Sequence, residues 1–411
     1  MEYYPRKIEE KLNRWLKKIE FIIIKGPRQS GKTTLLKHLS EKYRGIYLTF
    51  EDFKLLEDFQ RNPELFIKRF IDKKYVFLDE AQYCKDIGKK LKLIFDLYAE
   101  KIKIVVTGSG SFDVKVPIGK YLVGRCVYFE LFPLDFEEFL LWKAKDLYKI
   151  LLEYKTSVLK FLEEGKPEIQ EPVFVSEFKE LLNEFLIYGG FPGIVKEDDE
   201  EDKKILLKNL VSTYLEKDIF FFFNVFHLEN FRKLIKYLAF EISARLNLNS
   251  ISQTLKISFK TLQKYISILQ NSYLIFLVPP FFKNLSTELR KTKKIYFVDL
   301  GLRNSLLNNF ETIDKRLDIG QIYENFVFNE IRELGEVKYW RTTGKAEVDF
   351  VIQKGRDIFP VEVKVRGKVG RGFLSFLEVY QPKRAIVLTE KEFGIKKIKK
   401  TEVAFIPHYF I

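Results

Sequence analysis

The chain has 411 residues, of which 46% are hydrophobic and 31% are charged, and its formal net charge is +14 at pH 7. This length suits two to four domains of roughly 100–200 residues each, and the composition excludes an intrinsically disordered protein. Two cysteines and three scattered histidines exclude a disulfide framework and a zinc site, and no apolar run resembles a membrane helix or signal peptide, so we expect a cytoplasmic protein.

The first predicted element is a buried strand, "FIIIK", which runs directly into "GPRQSGKTTLL" (26–36). This stretch satisfies the pattern G-x-x-x-x-G-K-[ST], in which backbone N–H groups at the start of a helix bind phosphate. We expect Lys32 to reach the β- and γ-phosphates and the Thr33 hydroxyl to hold Mg²⁺. The predicted ATP-binding residues are Gly26, Pro27, Arg28, Gln29, Ser30, Gly31, Lys32, Thr33 and Thr34.

Further strands complete the predicted site. "KYVFLDEAQ" ends a strand with Asp79, placed to orient Mg²⁺, and Glu80, placed to polarise the attacking water. "KIKIVVTGSGS" ends a third strand with Thr107 and Ser109, whose hydroxyls can sense the γ-phosphate. With "IYLTFED" (46–52) as another strand, the order of strands and helices predicts a parallel sheet with helices on both faces.

Five segments together carry a resemblance to a known family: "GPRQSGKTT", "VFLDEAQ", "VVTGSGS", "LVGRCVYFELFPLDFEEFL" and "YGGFPGIV". They resemble archaeal and bacterial AAA-like ATPases of the STAND-related, MNS-type group, and the resemblance covers nearly the whole chain. It implies that Arg125 is a sensor or arginine finger, although this residue fits a surface salt bridge equally well. It also implies that "GGFP" (189–192) is a hinge or nucleotide contact in a helical lid.

The second half of the chain is basic. Residues 241–411 carry 29 Lys and Arg against 18 Asp and Glu, and no acidic residue lies between Glu241 and Glu288. This asymmetry suggests a polyanionic partner, although a solubilising lysine surface explains part of it.

Within this basic half, "NLNSISQTLKI" and "SFKTLQKYISILQ" predict a helix-turn-helix that resembles that of winged-helix proteins. Its predicted buried seam comprises Ile251, Leu255, Leu262, Ile266 and Leu269. The second helix would present Lys260, Gln263 and Lys264 to DNA. "IFLVPPFFKN" and "KKIYFVDLGLRN" would form the wing strands. Because winged helices also serve as packing modules inside ATPases, both roles stay open here.

The last segment combines a predicted helix that carries Glu324 with two predicted strands, "EVDFVIQ" with Asp349 and "IFPVEVKV" with Glu362 and Lys364. Alternation along a strand places Glu362 and Lys364 on one face. This set matches the PD-(D/E)XK nuclease pattern, in which Asp349, Glu362 and Glu324 would hold metal and Lys364 would orient the nucleophile. The alternative is an amphipathic edge strand with paired charges.

We therefore predict an α/β multidomain protein: a P-loop ATPase core (1–130), a helical lid (131–240), a winged helix (241–310) and a small nuclease-like domain (311–411). The predicted function is Mg²⁺-dependent ATP hydrolysis coupled to binding or remodelling of duplex or branched DNA, with metal-dependent nuclease activity left open for the terminal domain. An oligomer is compatible with this function. The alternative is a nucleotide-dependent switch or scaffold that recruits proteins and carries an inactive terminal domain.

Overall fold

The structure is a computed structural model of the chain, and it describes residues 3–108, 121–166, 168–214, 227–282, 288, 291–365 and 368–411. Within these ranges, no helix combines the length and the apolar character that crossing a membrane requires.

A five-stranded sheet of parallel strands, in the order β2-β3-β4-β1-β5, organises the amino-terminal part. Its strands are β1 (Phe21–Lys25), β2 (Ile46–Thr49), β3 (Tyr75–Asp79), β4 (Lys103–Gly108) and β5 (Cys126–Glu130). The flanking helices are α1 (Ile8–Trp15), α2 (Lys32–Lys42), α3 (Phe53–Arg61), α4 (Pro63–Lys68) and α5 (Ile87–Tyr98).

Successive residues of β1 point to opposite faces of this sheet, as the pleat requires. Ile22 and Ile24 pack in the core that contains α1 and α2. Phe21 and Ile23 pack in the core that contains α3, α4 and α5. Helices cover both faces, so the predicted α/β architecture is confirmed, and the all-apolar "FIII" run is explained by burial on both sides.

A helical region follows the sheet and continues into the basic middle of the chain. Its helices are α6 (Phe136–Lys143), α7 (Lys145–Glu164), α8 (Val175–Tyr188), α9 (Pro192–Val195), α10 (Glu200–Thr213), α11 (Leu228–Phe240), α12 (Leu248–Leu255), α13 (Phe259–Asn271) and α14 (Leu300–Leu307). Between α13 and α14, β6 (Ile275–Val278) and β7 (Lys294–Phe297) form an antiparallel pair. We call this pair the wing. Because α14 packs against α8, α10 and α11, the helical region and the basic middle share one core.

A second sheet, mixed and six-stranded, lies in the carboxy-terminal part, in the order β12-β13-β11-β10-β9-β8. Its elements are α15 (Ile319–Ile331), β8 (Glu336–Arg341), β9 (Glu347–Lys354), β10 (Asp357–Lys364), α16 (Arg371–Tyr380), β11 (Arg384–Thr389), β12 (Gly394–Ile398) and β13 (Thr401–Ile406). One hydrophobic core extends from Leu134 to Ile411. This core crosses the predicted domain boundaries at residues 241 and 311. The predicted division into four domains, at residues 131, 241 and 311, stays a prediction.

The last residues of the chain pack onto the helical region. The Phe410 ring stacks on Tyr154 of α7 with centroids 3.9 Å apart, and the Tyr409 ring stacks on Phe178 of α8 at 4.6 Å. His408 is 1% exposed, and neither ring nitrogen has a hydrogen-bond partner among the described residues. Burial, with a smaller effect of Lys179, lowers the pKa of His408 to about 3.

This lowered pKa predicts a specific acid sensitivity. An unfolded histidine titrates at about pH 6.5, so the neutral His408 ring stabilises the fold fully above that pH, and the stabilisation is lost as the pH falls toward the folded pKa. Between pH 7 and 5, the free energy of unfolding should fall by about 2 kcal/mol more in the wild type than in His408→Leu. Thermal unfolding across this pH range checks the difference. The exposed His227→Leu should keep the wild-type slope, and equal slopes for all three proteins would contradict the prediction.

Candidate functional site

The phosphate turn (residues 26–31) connects β1 to α2, and its two glycines adopt conformations that other residues avoid. Gly26 has φ 151°, and a Cβ there would lie 2.1 Å from the Leu131 carbonyl oxygen. Gly31 has φ 96° and directly precedes α2. The sequence therefore needs glycine at both positions to bring the chain tightly from the strand into the helix.

Lys32, the first residue of α2, folds its side chain back over this turn. It is 6% exposed, and its Nζ donates to the carbonyl oxygens of Gly26, at 3.0 Å, and Pro27. Ser30 Oγ also donates to Pro27 O, at 2.9 Å. The cation thus lies over the same loop whose N–H groups are predicted to bind phosphate, where it can exchange carbonyl oxygens for phosphate oxygens.

Asp79, at the end of β3, is the centre of the predicted metal site. It is 1% exposed, and its carboxylate accepts hydrogen bonds from the hydroxyls of Thr33, at 2.7 Å, Tyr47, at 2.8 Å, and Thr107. A hydroxyl and a carboxylate this close are the oxygen donors that Mg²⁺ prefers. The residues present therefore fit the cation that the phosphate turn implies.

Glu80 follows Asp79 in a left-handed backbone conformation, with φ 55°. A non-glycine residue in this conformation carries local strain, which often accompanies a functional position. Gln82 Nε2 donates to Glu80 Oε2. Burial first, and the Asp79 charge second, raise the pKa of Glu80 above its ordinary value. A carboxylate with a raised pKa is a better proton acceptor.

Strand β4 lies between β1 and β3, and this order brings Thr107 to Asp79. Ser109, the predicted γ-phosphate sensor, lies outside the described residues. Arg125 precedes β5, where its carbonyl accepts from Phe21 N at the start of β1. It therefore lies at the end of the sheet where β1 and β5 begin, whereas the phosphate turn lies at the end where β1 stops. The Arg125 Nε donates to Asp96 Oδ1 at 2.6 Å. The structure does not bring Arg125 to the phosphate turn of its own chain.

Sequence reasoning missed Arg6, which is buried beside the phosphate turn. Its guanidinium donates to Ser30 O at 2.8 Å, Phe132 O at 2.7 Å and Glu138 Oε1 at 3.0 Å. Tyr47, which contacts Asp79, was also missed. Neither residue belongs to a short motif, and each reaches its partners only after the sheet has assembled.

The "GGFP" turn lies next to the phosphate turn. A Cβ on Gly31 would be 3.8 Å from Pro192 Cγ. Gly190 N donates to Asp299 Oδ2 at 2.7 Å, and Asp299 also caps α14 through Leu302 N at 2.8 Å. Burial raises the pKa of Asp299 to about 6. The turn therefore connects the surroundings of the nucleotide site to the end of the wing.

Helix α13 separates a buried face from an exposed one. Leu262 and Leu269 are fully buried, Ile251 and Ile266 nearly so, and Leu255 partly so, which agrees with the predicted seam. The predicted DNA-contacting side chains, Lys260, Gln263 and Lys264, are all exposed. The antiparallel pair of β6 and β7 lies within the two segments that the sequence predicts as wing strands, and the winged helix itself stays a prediction.

In the terminal sheet, Asp349 on β9 meets Glu362 and Lys364 on β10. Asp349 Oδ2 accepts from Val363 N at 2.8 Å, and Glu362 Oε1 pairs with Lys364 Nζ at 2.7 Å. Burial, reinforced by Asp349, raises the pKa of Glu362. Strand β10 lies between β9 and β11, so it is not an edge strand, whereas the paired charges of that alternative are present as the Glu362–Lys364 ion pair.

Glu324, the third predicted metal ligand, has other partners. Its Oε1 accepts from Lys294 Nζ at 2.9 Å and from Tyr296 OH at 2.6 Å, and burial raises its pKa to about 7. Over the described ranges, no group of three or more His, Cys, Asp or Glu side chains is arranged to hold a metal ion. The structure thus brings Asp349, Glu362 and Lys364 together, whereas Glu324 binds two side chains of β7 in the wing.

Comparisons with known families match three parts of the chain. An AAA domain model matches residues 18–140, and two models described as domains of unknown function match residues 179–312 (DUF8612) and 319–409 (DUF4143). An AAA-type ATPase domain therefore contains the phosphate turn, Asp79 and Glu80.

Two uncharacterized proteins are similar to most of this chain. An uncharacterized protein of Methanocaldococcus jannaschii is 30% identical over 347 residues, which cover 80% of this chain and 71% of that protein. An uncharacterized protein of Haemophilus influenzae is 26% identical over 421 residues, covering 96% and 95%. Among solved structures, the Aeropyrum pernix ORC1 protein in complex with DNA is 12% identical and covers 74% of this chain and 93% of that one, with a TM-score of 0.28.

The geometry of the nucleotide site predicts that substitutions of Lys32 and of Glu80 impair different steps of the ATPase cycle. Lys32→Ala should abolish hydrolysis and weaken ATP binding, because the turn loses its cation. Glu80→Gln should retain ATP binding and slow hydrolysis by at least about 100-fold, because the proton acceptor is lost while Asp79 and Thr33 remain. Binding of a fluorescent ATP analogue and phosphate release measure the two steps. Glu51→Gln, an exposed acid just beyond β2, is the matched control, and wild-type turnover by Glu80→Gln would refute the assignment.

Proposed function

The chain belongs to the family of the Methanocaldococcus jannaschii protein and contains an AAA domain, and on this premise we propose that it is a Mg²⁺-dependent ATPase that couples ATP binding and hydrolysis to DNA binding or remodelling. The observation that carries the ATPase proposal is the 2.7 Å contact between the Thr33 hydroxyl and the Asp79 carboxylate beside the phosphate turn.

In this proposal, each residue of the site has one task. The backbone N–H groups of residues 26–31 and the Lys32 amine bind the phosphates. Thr33 and Asp79 hold Mg²⁺, which when bound offsets charge on the phosphate oxygens. Glu80 accepts a proton from the attacking water, and its raised pKa suits that role.

Arg125 would act on a neighbouring molecule. Because Arg125 lies at the opposite end of the sheet from its own phosphate turn, it can serve as an arginine finger only for the nucleotide of an adjacent chain in an oligomer. Its ion pair with Asp96 would then have to open.

The DNA part of the proposal rests on α13. The helix buries its apolar face and exposes Lys260, Gln263 and Lys264, and cationic and amide side chains on such a helix suit the major groove. Basic residues predominate from Glu241 onward, which favours a polyanionic partner. The alternative remains a nucleotide-dependent switch or scaffold, in which this module contacts proteins.

ATPase activity with and without DNA distinguishes these two functions. We expect single-stranded, duplex or junction DNA to stimulate hydrolysis, and the double variant Lys260→Glu/Lys264→Glu to lose both the stimulation and at least about tenfold in DNA affinity. The control Lys89→Glu/Lys92→Glu makes the same charge change on exposed positions of α5 and should retain both. Equal losses in the two variants would indicate a diffuse basic surface, and hydrolysis indifferent to every DNA would favour the switch.

A second proposed function is metal binding, with nuclease-like chemistry, by the terminal domain. The observation that favours it is Glu362 Oε2, a buried oxygen that has no hydrogen-bond partner among the described residues and belongs to the carboxylate beside Asp349 and Lys364. Asp349 and Glu362 would hold Mg²⁺ or Mn²⁺, and the Lys364 amine would orient the attacking water.

This proposal predicts a metal-dependent rise in stability. An ion that binds only the folded state stabilises it by about 2.7 kcal/mol at a concentration 100 times its Kd. Thermal unfolding of the full chain with Mn²⁺ should show this rise, and Asp349→Asn should remove it. Asp357→Asn, an exposed acid on β10, is the control. An identical metal response in all three proteins would rule out a site at Asp349.

A further inference from the structure

Lys294 is a buried cation that extends from the wing into the terminal domain. It begins β7 and is only 3% exposed. Its Nζ lies 2.9 Å from Glu324 Oε1 on α15 and 2.6 Å from Glu347 Oε1 on β9. A lysine is rarely buried to this degree unless its charge is paired, and here two carboxylates pair with it.

The two carboxylates that hold Lys294 border the proposed metal site. Glu347 lies two residues before Asp349 on the same strand, so both side chains leave the same face of the sheet. The charges of both Asp349 and Glu324 act on Lys294 and on Lys364. The ammonium of Lys294 is therefore part of the same electrostatic cluster as Asp349 and Glu362.

The residues around this lysine leave little freedom for a second cation. Tyr296 OH donates to the same Glu324 oxygen at 2.6 Å, Arg341 pairs with Glu347, and the Tyr339 ring lies 5.4 Å from Lys294 Nζ. A divalent ion at Glu324 would have to displace the ammonium group, because two cations cannot share one carboxylate oxygen at contact distance without strong repulsion.

We propose that Lys294 is an internal cation that locks the terminal carboxylate cluster. Lys294 occupies Glu324 and Glu347 and lowers the affinity of the cluster for a divalent metal. Without that ammonium group, Glu324 can join Asp349 and Glu362. This inference rests on the proposed metal site and adds the residue that limits its affinity.

The wing is packed into the shared hydrophobic core, and the segments that flank β6 contact two other parts of the chain. Phe281 N donates to Tyr339 O at 2.5 Å, and Tyr339 N donates to Pro279 O at 3.1 Å, so the segment after β6 lies along β8. On the opposite side, Tyr273, just before β6, donates through its hydroxyl to Glu130 Oε1 of the AAA domain at 3.0 Å. The wing thus lies between the ATPase domain and the cluster that it neutralises.

A Mn²⁺ titration of the full chain tests the lock. Lys294→Met should bind Mn²⁺ at least about tenfold more tightly than the wild type, because one positive charge leaves the cluster. Adding Asp349→Asn to Lys294→Met should abolish that gain. Lys293→Met removes an exposed neighbouring lysine and should behave as the wild type, as should Lys294→Arg, which keeps the charge. Calorimetry gives the affinity of each variant.

The outcomes separate the lock from the metal site itself. If the wild type, Lys293→Met and Lys294→Met all bind Mn²⁺ through Asp349 with equal affinity, the metal site stands and the lock is rejected. If none of them shows binding that depends on Asp349, both are rejected. Should Lys294→Met fail to fold, Lys294→Met/Glu324→Gln replaces the buried ion pair by neutral groups. Its affinity is then compared with that of Glu324→Gln alone, and no difference between those two also rejects the lock.

Discussion

The guanidinium group of Arg6 holds the nucleotide site in its place relative to the rest of the chain. Its three hydrogen bonds end on the phosphate turn (Ser30 O), on the segment that leaves the sheet after β5 (Phe132 O) and on the first helix of the helical region (Glu138). Because a guanidinium is planar and presents its donors in fixed directions, a shift of one acceptor strains the other two. The group is buried, so losing one partner would also leave a desolvated charge or carbonyl without compensation.

Phe132 carries this connection further. Its carbonyl binds Arg6, while its ring lies 3.6 Å from the Arg332 guanidinium at the end of α15 and within 5.6 Å of the Tyr273 and Phe276 rings at the start of the wing. The phosphate turn, the wing and the terminal domain are therefore joined through one residue. The Gly190–Asp299 hydrogen bond is a second link between the surroundings of the phosphate turn and the end of the wing. Of the two links, the one through Arg6 ends on the phosphate turn itself, at Ser30 O.

Buried ion pairs join α15 of the terminal domain to other parts of the chain. Lys155 of α7 contacts Glu330 of α15 at 3.3 Å, and Lys294 of the wing contacts Glu324 of the same helix. Such pairs add little net stability, because desolvation offsets most of their attraction, but breaking one by separating its partners is costly. They therefore favour one relative arrangement of the parts and make a second arrangement accessible only when another cation or solvent replaces the lost partner.

The sequence alone determined those features in which neighbouring residues act together. The phosphate turn, the strand ends at Asp79 and Glu80, the seam of α13 and the Glu362–Lys364 face all follow from spacing along a single strand, turn or helix. Only the tertiary structure decided which side chains meet across the chain. Arg6 binds Ser30 and Phe132, and Tyr47 binds Asp79. Lys294 pairs with Glu324, which the sequence had predicted to be a metal ligand. The same holds for Arg125, whose motif was visible but whose position at the opposite end of the sheet depends on β5 running parallel to β1. Local periodicity fixes which face a residue occupies, whereas long-range partners are fixed by how the elements pack to bury their apolar faces and pair their charges, and that information is spread over the whole chain.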